Sequence, residues 1–232
     1  MKKLTITEKL TGKKKPSITE LVFILDRSGS MSGLETDTIG GYNSMLQRQK
    51  AQPGEVYVTT VLFDDRYELL HNRVPLRSIQ PMTSEQYFVR GCTALLDAIG
   101  RTIRSVQDTQ RRLPRSKRAD KVLFVITTDG MENASRSYTY EQVRSMVEQR
   151  KEADQWEFLF LGANIDAIAT AGRFGIGADR AVNYHADARG TALNYEVLSD
   201  AISHMRTSAA PMSASWKSRI EEDYESRRSD RK

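Results

Sequence analysis

Short apolar runs, separated by longer stretches with apolar residues every three or four positions, set the rhythm of the chain. Leu21-Val22-Phe23-Ile24-Leu25 is continuous and ends in Asp26, as in a central strand buried on both faces. Val56 to Phe63 and Val122 to Ile126 read the same way. Phe158-Leu159-Phe160-Leu161, ending at Gly162, is a fourth strand, and Arg180 to Tyr184 a weaker fifth. Tyr67 to Leu70 follows the second run after only Asp64-Asp65-Arg66, which predicts an antiparallel return at the sheet edge. Leu95, Leu96, Ile99, Ile103 and Val106 place one apolar stripe on a helix of several turns. Val143, Met146 and Val147 mark a later helix entered through Ser137, Tyr138 and Thr139, and Ala167 to Phe174 and Leu193 to Met205 supply two more. Strands alternating with helices of this length predict an α/β, Rossmann-like fold. Its central sheet is doubly wound and mostly parallel, flanked by helices, with one antiparallel edge strand and ligands at the carboxyl ends of the strands.

At 232 residues the chain suits one such domain, expected over residues 18–205. An apolar fraction of 39% fits one core with polar ends. Residues 1–17 read as a basic tail, with Lys2, Lys3, Lys9, Lys13, Lys14 and Lys15. Residues 206–232 read as a polar extension in which Trp216, Ile220 and Tyr224 recur at helical spacing. The formal charge of +5 lies largely in these ends, including Arg227, Arg228, Arg231 and Lys232. Neither zinc-ligand spacing nor aromatic interleaving accompanies it, so a nucleic-acid partner is not expected. A single cysteine, Cys92, excludes an intrachain disulfide. The charged start of the chain lacks the apolar run of a signal peptide, and no segment approaches the ~18 apolar residues of a membrane span. The expectation is a cytoplasmic protein without a membrane partner.

Candidate chemistry begins directly after the first strand. In Asp26-Arg27-Ser28-Gly29-Ser30-Met31 a carboxylate and two hydroxyls stand at i, i+2 and i+4, and Gly29 is expected to let the chain turn so that all three face one point. A hard cation such as Mg²⁺ takes oxygen ligands in octahedral geometry, and these three offer half a shell. Two further oxygens are predicted at the same sheet edge: Thr93, opening the long amphipathic helix, and Asp129, in Thr127-Thr128-Asp129-Gly130 after the Val122 run. This set resembles the metal-ion-dependent adhesion site (MIDAS) of von Willebrand factor A (vWA) domains. The likeness rests on Asp-x-Ser-x-Ser, a Thr opening a mid-chain helix, and Thr-Asp-Gly in that order, and extends from about Glu20 through Tyr184. It implies hydroxyl ligands from Ser28, Ser30 and Thr93, carboxylates of Asp26 and Asp129 bound directly or through water, a Mg²⁺ or Mn²⁺ ion, and a protein partner that presents an Asp or Glu. It implies a binding module of the small intracellular bacterial or phage type rather than an enzyme.

The competing reading is a metal-dependent hydrolase or phosphotransferase with Asp26 as nucleophile. Ser28 stands where such an enzyme of the haloacid-dehalogenase type has its second acid, and neither a Gly-x-Ser-x-Gly elbow nor a Gly-x-x-x-x-Gly-Lys loop is present. A third reading, a nucleic-acid adaptor, rests only on the basic ends. Of the nearby polar residues, Asp97 is expected to pair with Arg101 across one helical turn, and Glu132 and Asn133 to be solvated loop residues. Cys92 reads as a small loop residue, and His71, His185 and His204 receive no role.

Overall fold

The computed structural model describes residues 17–229. The basic tail expected over residues 1–17 falls outside them except for Ser17, as do Arg231 and Lys232. Six strands form one sheet in the order β3-β2-β1-β4-β5-β6: β1 (Ile18–Asp26), β2 (Glu55–Phe63), β3 (Tyr67–Pro75), β4 (Lys121–Thr128), β5 (Glu157–Ala163) and β6 (Ala181–Tyr184). All neighbours pair in parallel except β2 and β3, which are antiparallel at the edge. β3 runs to Pro75, five residues beyond the expected Leu70. Its register shifts against β2 around Thr60, and Arg73 sits there at φ 49. That irregularity places the Arg73 guanidinium 3.3 Å from the buried Glu20 carboxylate and over the Tyr57 ring.

Alternation along the central strands sorts side chains into two cores, as a strand's twofold period requires. Leu21, Phe23, Leu25, Leu123 and Val125 face one way, with Tyr42, Met45 and Leu46 of α1 (Glu35–Lys50) and Leu198 and Ile202 of α5 (Ala188–Thr207). Val22, Ile24, Phe124 and Ile126 face the other, against α2 (Leu95–Arg112), α3 (Tyr140–Asp154) and α4 (Ala167–Arg173). The predicted stripe Leu95, Leu96, Ile99, Ile103 and Val106 is fully buried in this second core. Thr139 caps α3 in a reciprocal box with Gln142, the entry expected there. α1 was not predicted from the sequence, and its buried face mixes Tyr42, Met45 and Leu46 with Thr38 and Gln49.

After α5, a short turn over Ala214–Lys217 leads into α6 (Ser218–Ser229). α6 packs on β6 and α5, with Ile220 buried in the first core and Trp216 packed against it. Among the described residues no helix is long and apolar enough to cross a membrane.

Candidate metal centre

β1 and β4 are adjacent and parallel, so their last residues deliver side chains to the same edge of the sheet. Asp26 ends β1, and Asp129 follows Thr128, the last residue of β4. Both carboxylates are buried. Asp26 Oδ1 accepts from the Ser28 N–H at 2.7 Å, and Oδ2 accepts from Thr128 Oγ1 at 2.6 Å. The Tyr87 hydroxyl donates to the Asp26 carbonyl at 2.5 Å. Arg27 turns the opposite way and is fully buried. Its guanidinium donates to Asp64 at 2.9 Å and to Glu68 at 2.7 Å, so it does not neutralise its neighbour Asp26.

The hydroxyls converge beside these acids. Ser28 Oγ and Ser30 Oγ lie 3.0 Å apart, and Thr93 Oγ1 donates to Ser28 Oγ at 3.0 Å. Ser28 and Thr93 are buried while Ser30 is exposed, so the cluster opens to solvent on the Ser30 side. All five predicted residues are thus brought to one place. Gly29 contributes differently from expectation: it is not among the residues of positive φ, and an added Cβ there would meet only an ordinary contact at 3.5 Å. The demanding glycines are Gly91 and Gly130. Gly91 has φ +65 and lies against Asp65, while a Cβ on Gly130 would stand 2.8 Å from Ser30 Oγ and 2.9 Å from Thr93 Oγ1.

Three polar residues that the sequence reading set aside or did not consider organise the site. Asn164, in the left-handed region at φ 53 just after β5, donates its amide to Asp129 Oδ1 in a close contact. Asn133 and Glu132 are engaged by backbone rather than solvated. Asn133 Oδ1 accepts from the Thr93 N–H at 2.9 Å, and the Asn133 N–H donates to the Thr93 carbonyl at 3.0 Å. Glu132 Oε2 accepts from the Leu96 N–H at 2.9 Å, capping α2 from another loop. Asp97 does not pair with Arg101. It accepts from the backbone N–H groups of Arg136, Ser137 and Tyr138, while Arg101 lies over the Tyr67 ring. Cys92 is exposed. Contacts spanning 36 to 41 residues of chain carry no local spacing signal, which is why these partners were not legible.

Electrostatically the pair of acids is poised for a cation. Burial pushes Asp129 up to about 6, the charge of Asp26 pushes the same way, and the Asn164 hydrogen bond opposes both only in part. Burial also raises Asp26, against hydrogen bonds from Thr128 and Ser28. Among the described residues no three His, Cys, Asp or Glu side chains are grouped to hold a metal, so any cation here relies on hydroxyls. The donor set fits a small one. Oxygens at right angles about 2.1 Å from a Mg²⁺ ion lie about 3.0 Å apart, the spacing found between the hydroxyls.

No protein-family model matches the chain, and no curated protein does. Solved structures do. A von Willebrand factor type A structure from Catenulispora acidiphila matches at TM-score 0.55 and 12% identity, over 80% of this chain and 42% of that one. The chain has a von Willebrand factor A-type fold. Proximal thread matrix protein 1 from the mussel byssus shares this vWA-like architecture at TM-score 0.52 and 14% identity, over 79% of this chain and 45% of its own. The mussel protein has also been solved with a zinc-occupied MIDAS motif. A D319A mutant of the PilB minor pilin from Streptococcus sanguinis matches at TM-score 0.52 and 11% identity, over 86% of this chain and 64% of its own. The vWA-like chain therefore spans less than two thirds of the length of each of these structures.

Proposed function

We propose that this chain is a divalent-cation-dependent protein-binding module that holds Mg²⁺ or Mn²⁺ and captures an Asp or Glu side chain of a partner protein, without catalysing a reaction. The observation that carries this reading is the convergence of Ser28, Ser30 and Thr93 hydroxyls at 3.0 Å spacing beside two buried carboxylates. The vWA-type fold supports it, as does the zinc-occupied motif of the mussel protein. Ser28, Ser30 and Thr93 would hold the ion, with Asp26 and Asp129 binding directly or through water. A cation held mainly by neutral hydroxyls keeps most of its charge and so supplies an electrophilic position for an incoming carboxylate. Asp26 is oriented by Thr128 and the Ser28 N–H, and Asp129 by Asn164. The exposed Ser30 side leaves the approach open. The test is capture of partner proteins from a lysate on the immobilised chain, with Mg²⁺ and with chelator. Capture is expected only with Mg²⁺ and is expected to be lost in Thr93→Ala. Equal capture in chelator, or by Thr93→Ala, would place the interface elsewhere.

A further inference from the structure

Exposed large apolar side chains are few, and two of the four among the described residues, Met131 at 74% and Ile168 at 40% exposure, line one groove. The groove has a volume of about 1010 Å³ and lies beside the metal centre. Asn164, whose amide donates to Asp129, lines it, and Met131 stands two residues after Asp129. Ile165 and Ile168 carry the apolar lining into α4, and Tyr184 at the end of β6 and Tyr224 on α6 complete it. α6 is fixed in that place, since Ile220 is buried in the first core and the Tyr224 ring stacks on His185 at 4.7 Å. The C-terminal helix thus adds a preformed wall to the face that carries the metal centre. Asp166 and Glu225 stand against Arg228 in the lining, and Asp166 also caps α4. With these charges nearly balanced, the groove selects by apolar contact.

We infer that the partner segment whose Asp or Glu meets the metal centre continues into this groove, where it seats an apolar side chain against Met131, Ile165 and Ile168. The inference rests on the metal-binding reading above, because the centre and the groove share Asn164 and the Asp129–Met131 segment. Apolar surface left open to water beside a binding centre gains free energy when it is covered. The residues that follow α6, Asp230, Arg231 and Lys232, are charged and do not match such a lining. An extended segment advances about 3.3–3.6 Å per residue, so a side chain within about four residues of the acid reaches up to about 14 Å from the ion. The module therefore reads two features of its partner, a carboxylate for the ion and a nearby apolar residue for the groove.

The experiment measures fluorescence anisotropy of labelled Gly/Ser peptides with the full chain, in Mg²⁺ and in chelator. Each peptide carries one Glu and one Leu, with the Leu one to four positions to either side, and each has a counterpart with Ser in place of Leu. In Mg²⁺, at least one spacing is expected to bind about tenfold tighter than its Ser counterpart, the scale of one or two buried methylene groups. The same peptide should shift the Met131 methyl resonance, assigned by its absence in Met131→Ser. Ile168→Ser and Met131→Ser alter exposed side chains, so both should fold, and each should bring the Leu-to-Ser affinity ratio towards one. Ratios near one at every spacing, with binding that still requires Mg²⁺, would overturn the groove and leave the metal-binding reading standing. A ratio that persists in the Met131→Ser, Ile168→Ser double variant would place the apolar contact elsewhere and overturn it too. A dimer of the wild type that Ile168→Ser abolishes would assign the groove to a second copy and overturn the inference. Peptide binding that is absent, or equal in chelator, would overturn the metal-binding reading and this inference with it.

Discussion

Gly130 measures how little space surrounds the hydroxyls. A methyl group there would stand under 3 Å from both Ser30 Oγ and Thr93 Oγ1, so Gly130→Ala must push at least one of them away. Mg²⁺ affinity is expected to fall about tenfold or more, with little change in melting temperature in chelator; calorimetry and thermal melts read the two effects separately. Asp129 gives a prediction of opposite sign for stability. Its carboxyl is raised in the fold to about 6, so the stability it contributes is fully present below the ordinary Asp value of 3.8 and is lost as pH rises through about 6. In chelator at pH 7.5, Asp129→Asn should therefore melt above the wild type, and the difference should close near pH 4. A variant that melts lower at pH 7.5 would contradict this account of the paired acids. The clustering of the five candidate residues was legible because Asp26, Ser28 and Ser30 lie within five residues and Thr93 and Asp129 each stand beside a clear element. Asn133, Glu132 and Asn164 were not, because each acts on a group at least 35 residues away.

At the scale of elements, apolar periodicity located strands and helices where the apolar stripe was regular enough to read through occasional buried polar residues, such as Thr102 in α2 and Ser199 in α5. It did not reveal α1, where Thr38 and Gln49 share the buried face and Gln49 is satisfied by the Ser199 carbonyl on α5 at 2.9 Å. Of the predicted stripe Trp216, Ile220 and Tyr224, α6 carries Ile220 and Tyr224, while Trp216 lies in the short turn before it. Only Ile220 is fully buried. Trp216 donates its indole N–H to the Asp179 carbonyl, and Tyr224 stacks on His185. Around this contact, Arg227 pairs with Asp187 and Asp223, and Arg219 with Glu196. The exposed Arg219–Glu196 pair adds little, whereas Asp223 is buried, so Ile220 and the Arg227–Asp223 pair together hold α6 in place. Ile220→Ala is expected to cost about 2–5 kcal/mol in urea unfolding. A loss below about 0.5 kcal/mol, the range of an ordinary surface substitution, would show that α6 does not pack there.

For the whole molecule, the strand order explains why residues from distant parts of the chain meet. β1 and β4 lie side by side at the centre of a sheet whose order departs from chain order, and the carboxyl ends of adjacent parallel strands are where such folds gather ligands. Asp26 and Asp129 thus face each other across 103 positions, each held by donors from a neighbouring segment. A mostly parallel sheet with helices on both faces was predictable from the alternation of runs. The adjacency of β1 and β4 was not predicted, since no local pattern encodes which strands pair. The most direct test of the central claim is a calorimetric titration of the chain with Mg²⁺ at pH 7.5, beside Asp26→Ala and Asp129→Ala. One ion per chain is expected to bind the wild type, and neither variant should bind it while both keep the wild-type circular dichroism spectrum. Equal Mg²⁺ affinity in all three proteins, or no binding by the folded wild type, would contradict the site.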